Sequence, residues 1–308
     1  ASADQTICRG EAPLALNLGA VSGGSGNFSY QWQVQSAGSG WSNIPGATQA
    51  IYSPPALFQT TQYRVVQTDN HCAPGQQVSS NAVTITVHSA LVSGVAGSNQ
   101  TICFAETPAL LNLSLPGGGS GNFSYQWQYL EAVGDWTDIP GANGRSYQPN
   151  PLAEMVKYRV IQTDLFCEPN QQLTSNIVTI NVYPQLTPGL ANFDQTICYG
   201  ETPDPLVAQP PSGGSGQFNY NWQVLNGFGN WLNINGATTL TYSPPALFVT
   251  TKYRISQIDP YCNPDQSVAS VAVTITVHPQ LVSGSAGPDQ VLCFNEMPVP
   301  IAGTLPTG

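Results

Sequence analysis

Apolar and polar positions alternate along this chain in short runs broken by glycine and proline. Tyr30, Trp32 and Val34 fall on one side of the 28–35 run and Gln31 and Gln33 on the other. That two-residue period predicts a half-buried strand with its aromatics inward. Leu14, Leu16 and Leu18 alternate in the same way, as do Tyr63 and Val65 in 61–68 and Val83, Ile85 and Val87 in 81–87. Shorter strands are expected at 41–44 and 50–52. Gly23-Gly24-Ser25-Gly26, Gly38-Ser39-Gly40 and Pro45-Gly46 supply turns, and Pro54-Pro55 excludes a central strand. No stretch of useful length has the 3.6-residue period of a helix. About seven short strands between Gly/Pro turns predict an all-β, immunoglobulin-like or fibronectin-like β-sandwich.

This pattern repeats. Cys8, Cys103, Cys198 and Cys293 are spaced by 95 residues, as are Cys72, Cys167 and Cys262. Trp32, Trp127 and Trp222 keep the same register, and so do Trp41, Trp136 and Trp231. No insertion or deletion separates the copies. A unit of this length can bury a core of its own, so it reads as a small domain and not as one turn of a solenoid. Four segments follow: repeats at 1–90, 91–185 and 186–280, and the start of a fourth at 281–308. The register suggests a segment of a longer mature protein. The connecting stretches 88–99, 183–194 and 279–289 carry Leu91-Val92, Leu186 and Leu281-Val282. Such apolar pairs predict short, partly buried junctions in place of flexible tethers.

Charge changes the picture by what it excludes. Only 8% of residues are charged, with 7 basic against 17 acidic and a net charge of −10. A nucleic-acid surface needs basic patches, and none is present. No apolar run approaches the roughly 18 residues that membrane insertion requires. Each repeat holds an early and a late cysteine 64 positions apart, without the close CxxC pairs of a zinc site. The constant spacing predicts the disulfides Cys8–Cys72, Cys103–Cys167 and Cys198–Cys262, with Cys293 paired beyond Gly308. Such bonds persist in an oxidising, extracellular setting. The bridge would pin the N-terminal segment of each repeat to a loop at one pole and stiffen the junction there.

Candidate chemistry is sparse. Position 71 is His71, then Phe166, then Tyr261, and position 88 is His88, Tyr183 and His278. A catalytic base would not be exchanged for phenylalanine, and neither a Ser/His/Asp set nor a phosphate-binding loop is present. The chain is therefore expected not to be an enzyme and to need no cofactor. Asp4, Glu11 and Asp69 form a weak Ca²⁺ candidate, because bridging Cys8 to Cys72 would bring Glu11 and Asp69 to one pole. Asn99 in place of the second-repeat aspartate counts against it. Trp41 and its equivalents read either as a glycan-stacking platform or, given the isoleucine that follows at a fixed distance, as core. Sequons at Asn27, Asn99, Asn112 and Asn122 do not recur in every repeat.

Each copy reads D/N-Q-T-I-C, then G-G-S-G-x-F-x-Y-x-W-Q, then W-x-x-I-x-G-A, a Tyr-Arg strand, T/I-D-x-x-C and a V-T-I-T/N-V strand. This resembles the tandem Ig-like and PKD-like repeats of giant Bacteroidota cell-surface adhesins and filament proteins. The resemblance spans nearly the whole chain. It implies tandem sandwiches with one disulfide each, exported to the outer surface by the type IX route. The function it implies is the shaft of an extracellular filament or adhesin, in contact with neighbouring repeats and with identical chains. A glycan-binding array on surface polysaccharide and the spacer of a secreted hydrolase are the alternatives.

Overall fold

The computed structural model of the chain describes residues 2–71, 74–262 and 264–307. Repeat 1 forms β1 (Gln5–Cys8), β2 (Leu16–Asn17), β3 (Phe28–Ser36), β4 (Ser42–Asn43), β5 (Ile51–Tyr52), β6 (Thr61–Asp69), β7 (Gln76–Ser79) and β8 (Val83–His88). Repeat 2 forms β9 (Gln100–Ile102), β10 (Leu111–Asn112), β11 (Phe123–Leu130), β12 (Thr137–Asp138), β13 (Ser146–Tyr147), β14 (Val156–Asp164), β15 (Gln171–Thr174) and β16 (Val178–Val182). Repeat 3 forms β17 (Gln195–Ile197), β18 (Leu206–Val207), β19 (Asn219–Leu225), β20 (Trp231–Asn233), β21 (Thr241–Tyr242), β22 (Thr251–Asp259), β23 (Gln266–Ala269) and β24 (Val273–Val277).

In repeat 1 the large sheet runs β4-β3-β6-β8-β1, with β7 also on β6. The neighbours pair antiparallel except β1, which lies parallel to β8 with Cys8 opposite His88. A second layer is the pair β2-β5. Repeat 3 repeats this order as β20-β19-β22-β24-β17 with the pair β18-β21. Repeat 2 has β12-β11-β14-β16, with β15 on β14, and the pair β10-β13. An antiparallel layer with its first strand added in parallel, closed by a short second layer, is an immunoglobulin-like sandwich.

The core forms where the alternation places it. Leu16, Trp32, Tyr63, Val65, Val83 and Ile85 are buried together. Burying an indole removes its N–H from water, so the N–H needs a partner. Trp32 Nε1 donates to Gln49 O at 2.9 Å, and Trp127 and Trp222 do the same to Gly144 O and Thr239 O. Tyr52 fills the space between the Trp32 and Tyr63 rings, with centroids 5.8 and 5.7 Å away.

The chain forms two compact units. The first comprises Ala1–Gln100, Thr107–Asn150 and Met155–Asn181; the second comprises Thr101–Glu106, Pro151–Glu154 and Val182–Gly308. The strip Thr101–Glu106 therefore packs with repeat 3, although it belongs to repeat 2 in sequence.

Candidate functional site: the junction between successive repeats

The connecting stretch after β8 is a strand-like edge of the next sandwich. Val92 and Gly117 form an antiparallel bridge, and Ser114 N donates to Val95 O. Side-chain carboxamides catch the other edge: Leu91 N donates to Gln171 Oε1, Gly94 N to Gln162 Oε1 and Ala96 N to Asn176 Oδ1. Leu91 is buried at 7% exposure and Ala96 completely. In repeat 3, Thr187 bridges Ser212, Gly189 N reaches Gln257 Oε1, and Leu186 is buried at 5%. The segment passes so close that a Cβ at Gly118 would overlap Ala90 O, and one at Gly94 would overlap Ser114 O. Gln257 Nε2 donates to Gln209 O, whereas Gln162 Nε2 is buried without a partner among the described residues.

The same pole carries the cysteines. Cys8 is bonded to Cys167 and Cys103 to Cys262, with Cα atoms 5.7 and 5.8 Å apart. Each bond runs from the early cysteine of one repeat to the late cysteine of the next. The expected pairs Cys8–Cys72, Cys103–Cys167 and Cys198–Cys262 are therefore corrected; Cys72 itself lies outside the described residues. Repeat 3 shows why. Its β17 runs parallel to its last strand, so Cys198 follows Ile197 at the end where β24 finishes. The antiparallel β22 pairs Thr251 with Ile275 near that end and carries Asp259, just before Cys262, to the other end. Nine residues of β22 separate the two, about 27–30 Å at strand rise, far beyond the ~7 Å Cα limit of a disulfide. Cys198 and Cys293 are exposed and free.

Beside each staple two aromatic rings meet edge to face. His88 lies 4.9 Å from Phe166, and Tyr183 lies 5.5 Å from Tyr261. In both cases position 88 of one repeat touches position 71 of the next. Gln266 Nε2 also reaches across to Phe104 O at 3.1 Å.

The carboxylates considered for Ca²⁺ are not brought together. Asp4 Oδ1 accepts from Thr84 N, Glu11 Oε2 from Cys8 N, and Asp69 from the amide and hydroxyl of Ser25. Among the described residues no group of three or more His, Cys, Asp or Glu could hold a metal ion. Asn99 accepts from Thr179 N and Asp194 from Thr274 N, so this position needs an oxygen acceptor and not a charge. Hydrogen bonds from the Ser25 hydroxyl and amide and the His71 amide hold the Asp69 carboxyl below the usual carboxylate range. At Asp164, burial pushes the carboxyl up. The Ser120 hydroxyl, the Phe166 and Ser120 amides and His88 outweigh it, so the net direction is down.

The domain-of-unknown-function model DUF8696 matches residues 1–89, 92–184 and 187–279. The chain belongs to the DUF8696 family. No curated protein matches it. Its DUF8696 repeats are similar to Sidekick-1 immunoglobulin domains 1–4, at 14% identity over 94% of this chain and 75% of that one, with a TM-score of 0.35. They are also similar to human CDH23 EC21-23, at 10% identity over 88% and 97%, with a TM-score of 0.41. The three N-terminal domains of the bacteriophage RB49 outer capsid protein Hoc give 12% identity over 89% and 96%, with a TM-score of 0.40. The fold assignment rests on the strand order, not on these superpositions.

Two features of the DUF8696 repeats escape a linear reading. Trp41 is not core: Arg64 lies over its ring at 4.4 Å and donates from Nε to Gln33 Oε1, on the outer face of the large sheet. The same stack recurs at Trp136–Arg159 and Trp231–Arg254. Positions 71 and 88 are aromatic in every described copy, and that regularity is the signal in the sequence for their ring contact.

Proposed function

We propose that this segment is the structural shaft of a long extracellular filament or adhesin and carries no catalytic role. The observation behind this reading is the pair of staples that join repeat 1 to repeat 2 and repeat 2 to repeat 3. A disulfide inside a domain protects that domain alone. One that spans the junction also limits how far neighbours separate. Closing a loop of 159 positions stabilises by about 5 kcal/mol in the chain-entropy model. The resemblance noted above supports export to the surface of a Bacteroidota cell by the type IX route. Disulfides of this kind fit the oxidising exterior.

Pulling single chains between Cys8 and Cys262 tests the reading. When oxidised, the shortest covalent path crosses from Cys8 to Cys167, runs back through 64 positions to Cys103 and crosses to Cys262. At ~3.4 Å per residue its limit is about 220 Å, against about 860 Å when reduced. Equal extension in both states would defeat the shaft reading. A polysaccharide-binding array is a second reading, favoured by the thrice-repeated Trp–Arg–Gln stack on the outer sheet face. Glycan-array signal lost on Trp41→Ala, Trp136→Ala and Trp231→Ala together would support it.

A further inference from the structure

Residues 205–258 of repeat 3 hold two cations, Lys252 and Arg254, and no carboxylate. The chain as a whole has 7 basic residues against 17 acidic, so its charge is locally reversed here. The two cations lie two positions apart on β22 and share its outer face with Gln223, Leu225, Trp231 and Asn233. Arg254 is held from two sides. Its Nε donates to Gln223 Oε1 at 2.7 Å, and its guanidinium lies over the Trp231 ring, 4.4 Å from the centroid. Gln223 is fixed in turn by donating from Nε2 to Asn233 Oδ1. Among the described residues the two Nη groups of Arg254 have no partner, and neither cation forms an ion pair. Asp194, on the far side of β24, already accepts from the amide of Thr274, the residue opposite Lys252.

Apolar surface flanks this pair. Leu225 pairs with Trp231 where the β19–β20 hairpin closes. Asn226 Oδ1 accepts from the Phe228 and Asn230 amides, which pins the hairpin tip, and the tip presents Phe228 at 91% exposure. The other repeats lack this combination. Repeat 1 has Gln62 in place of Lys252 and Gly38 in place of Phe228. Repeat 2 keeps Lys157 and Arg159, but its hairpin carries Glu131, Asp135 and Asp138, and Asp138 takes the place of Asn233 on the glutamine amide.

We infer that the outer sheet face of repeat 3 binds a polysaccharide that carries carboxylates, such as a uronate polymer. The end-on pair of Arg254 Nη groups matches the two oxygens of a carboxylate, and Lys252 adds a second charge two positions along the strand. Fixing the guanidinium before the ligand arrives lowers the ordering cost of that contact. Leu225 and Phe228 offer apolar surface to the C–H face of a sugar ring. The outer positions Asn221, Ser256 and Thr274 are neutral and hydrogen-bonding, as recognition of hydroxyls requires. A polyphosphate chain needs a denser cationic track than two side chains supply. The acidity of the rest of the chain is screened over about 8–10 Å at physiological salt, so it does not cancel a local contact. The site rests on the polysaccharide reading above and narrows it to one repeat and one ligand class.

Affinity electrophoresis of the whole chain tests it, through gels loaded with polygalacturonate or alginate. The methyl ester of polygalacturonate and inorganic polyphosphate serve as controls. Retardation is expected in at least one uronate gel, weakening with added salt, and about tenfold weaker on the methyl ester, which has the same backbone without the charge. Lys252→Gln and Phe228→Gly install the residues that repeat 1 carries at these positions, and unchanged melting temperatures establish that both fold. Lys252→Gln is expected to weaken uronate binding about tenfold and Phe228→Gly several-fold, whereas Lys157→Gln in repeat 2 leaves it unchanged. Equal retention on the methyl ester would overturn the carboxylate assignment and leave the polysaccharide reading standing. Equal retention on polyphosphate, or retention indifferent to Lys252→Gln, would overturn the inference. So would the absence of retardation in both uronate gels; a glycan-array signal lost with the three tryptophans would then still carry the polysaccharide reading, and a silent array would end both.

Discussion

Asp69, Asp164 and Asp259 do the same work in three places. Each accepts from the amide and hydroxyl of a serine 44 positions earlier and from an amide two positions later, and so clasps the Gly-Gly-Ser-Gly turn. The second glycine makes room for the carboxylate, since a Cβ on Gly24 or Gly119 would lie 2.8 or 2.6 Å from Oδ2. For Asp69 and Asp164 the folded pKa is depressed, so this stabilisation is present above the unfolded value near 4 and is lost as pH falls through the lower folded values. Tyrosines show the opposite sign. Burial, with the neighbouring tyrosine's charge, pushes Tyr63 and Tyr253 up to about 12. Their contribution is complete below roughly pH 10 and fades as pH rises through the folded values. Urea melts across pH are expected to show a stability plateau falling at both ends. Asp164→Asn should flatten the acid limb and cost about 1–3 kcal/mol at neutral pH, since an amide cannot accept at both oxygens.

At the scale of the element, the connecting segment behaves as part of the domain it enters. Gly94 has room only for hydrogen, because a Cβ would overlap the Ser114 carbonyl. Gly94→Ala should therefore lower the stability of repeat 2 by about 2 kcal/mol or more through a forced backbone shift, readable in denaturant melts. The apolar Leu-Val pairs made burial of this segment legible in advance. Its hydrogen bonds were not legible, because the acceptors Gln162, Gln171 and Asn176 lie about 70–80 positions away, and nothing local marks a glutamine as inward. Strand positions around Trp32, Tyr63 and Val83 were readable because a two-residue period is local. The outward stacking of Trp41 was not, because the choice between core and surface depends on which strand Arg64 faces.

For the whole molecule, the staples interlock: the loop closed by Cys8–Cys167 contains Cys103, whose own partner, Cys262, lies outside it. Mass spectrometry of a non-reduced digest is expected to recover a peptide pair containing Cys8 and Cys167 and another containing Cys103 and Cys262. Recovery of Cys103 with Cys167 would refute the arrangement.

Taken alone, the amino-acid order settles the 95-residue period, the alternating strands, the aromatic core and the need for two cysteines per repeat. Each follows from local spacing or from comparing one copy with the next. It leaves open which cysteines meet. A bond within a repeat and a bond to the following repeat differ by one period, 64 against 159 positions, and both recur with equal regularity. The parallel seating of β1 on β8 decides between them. It sends the early cysteine to the pole where the chain leaves the domain, while antiparallel pairing keeps the late cysteine at the pole where the chain enters. Strand direction arises from long-range pairing, and the tertiary structure alone makes that choice.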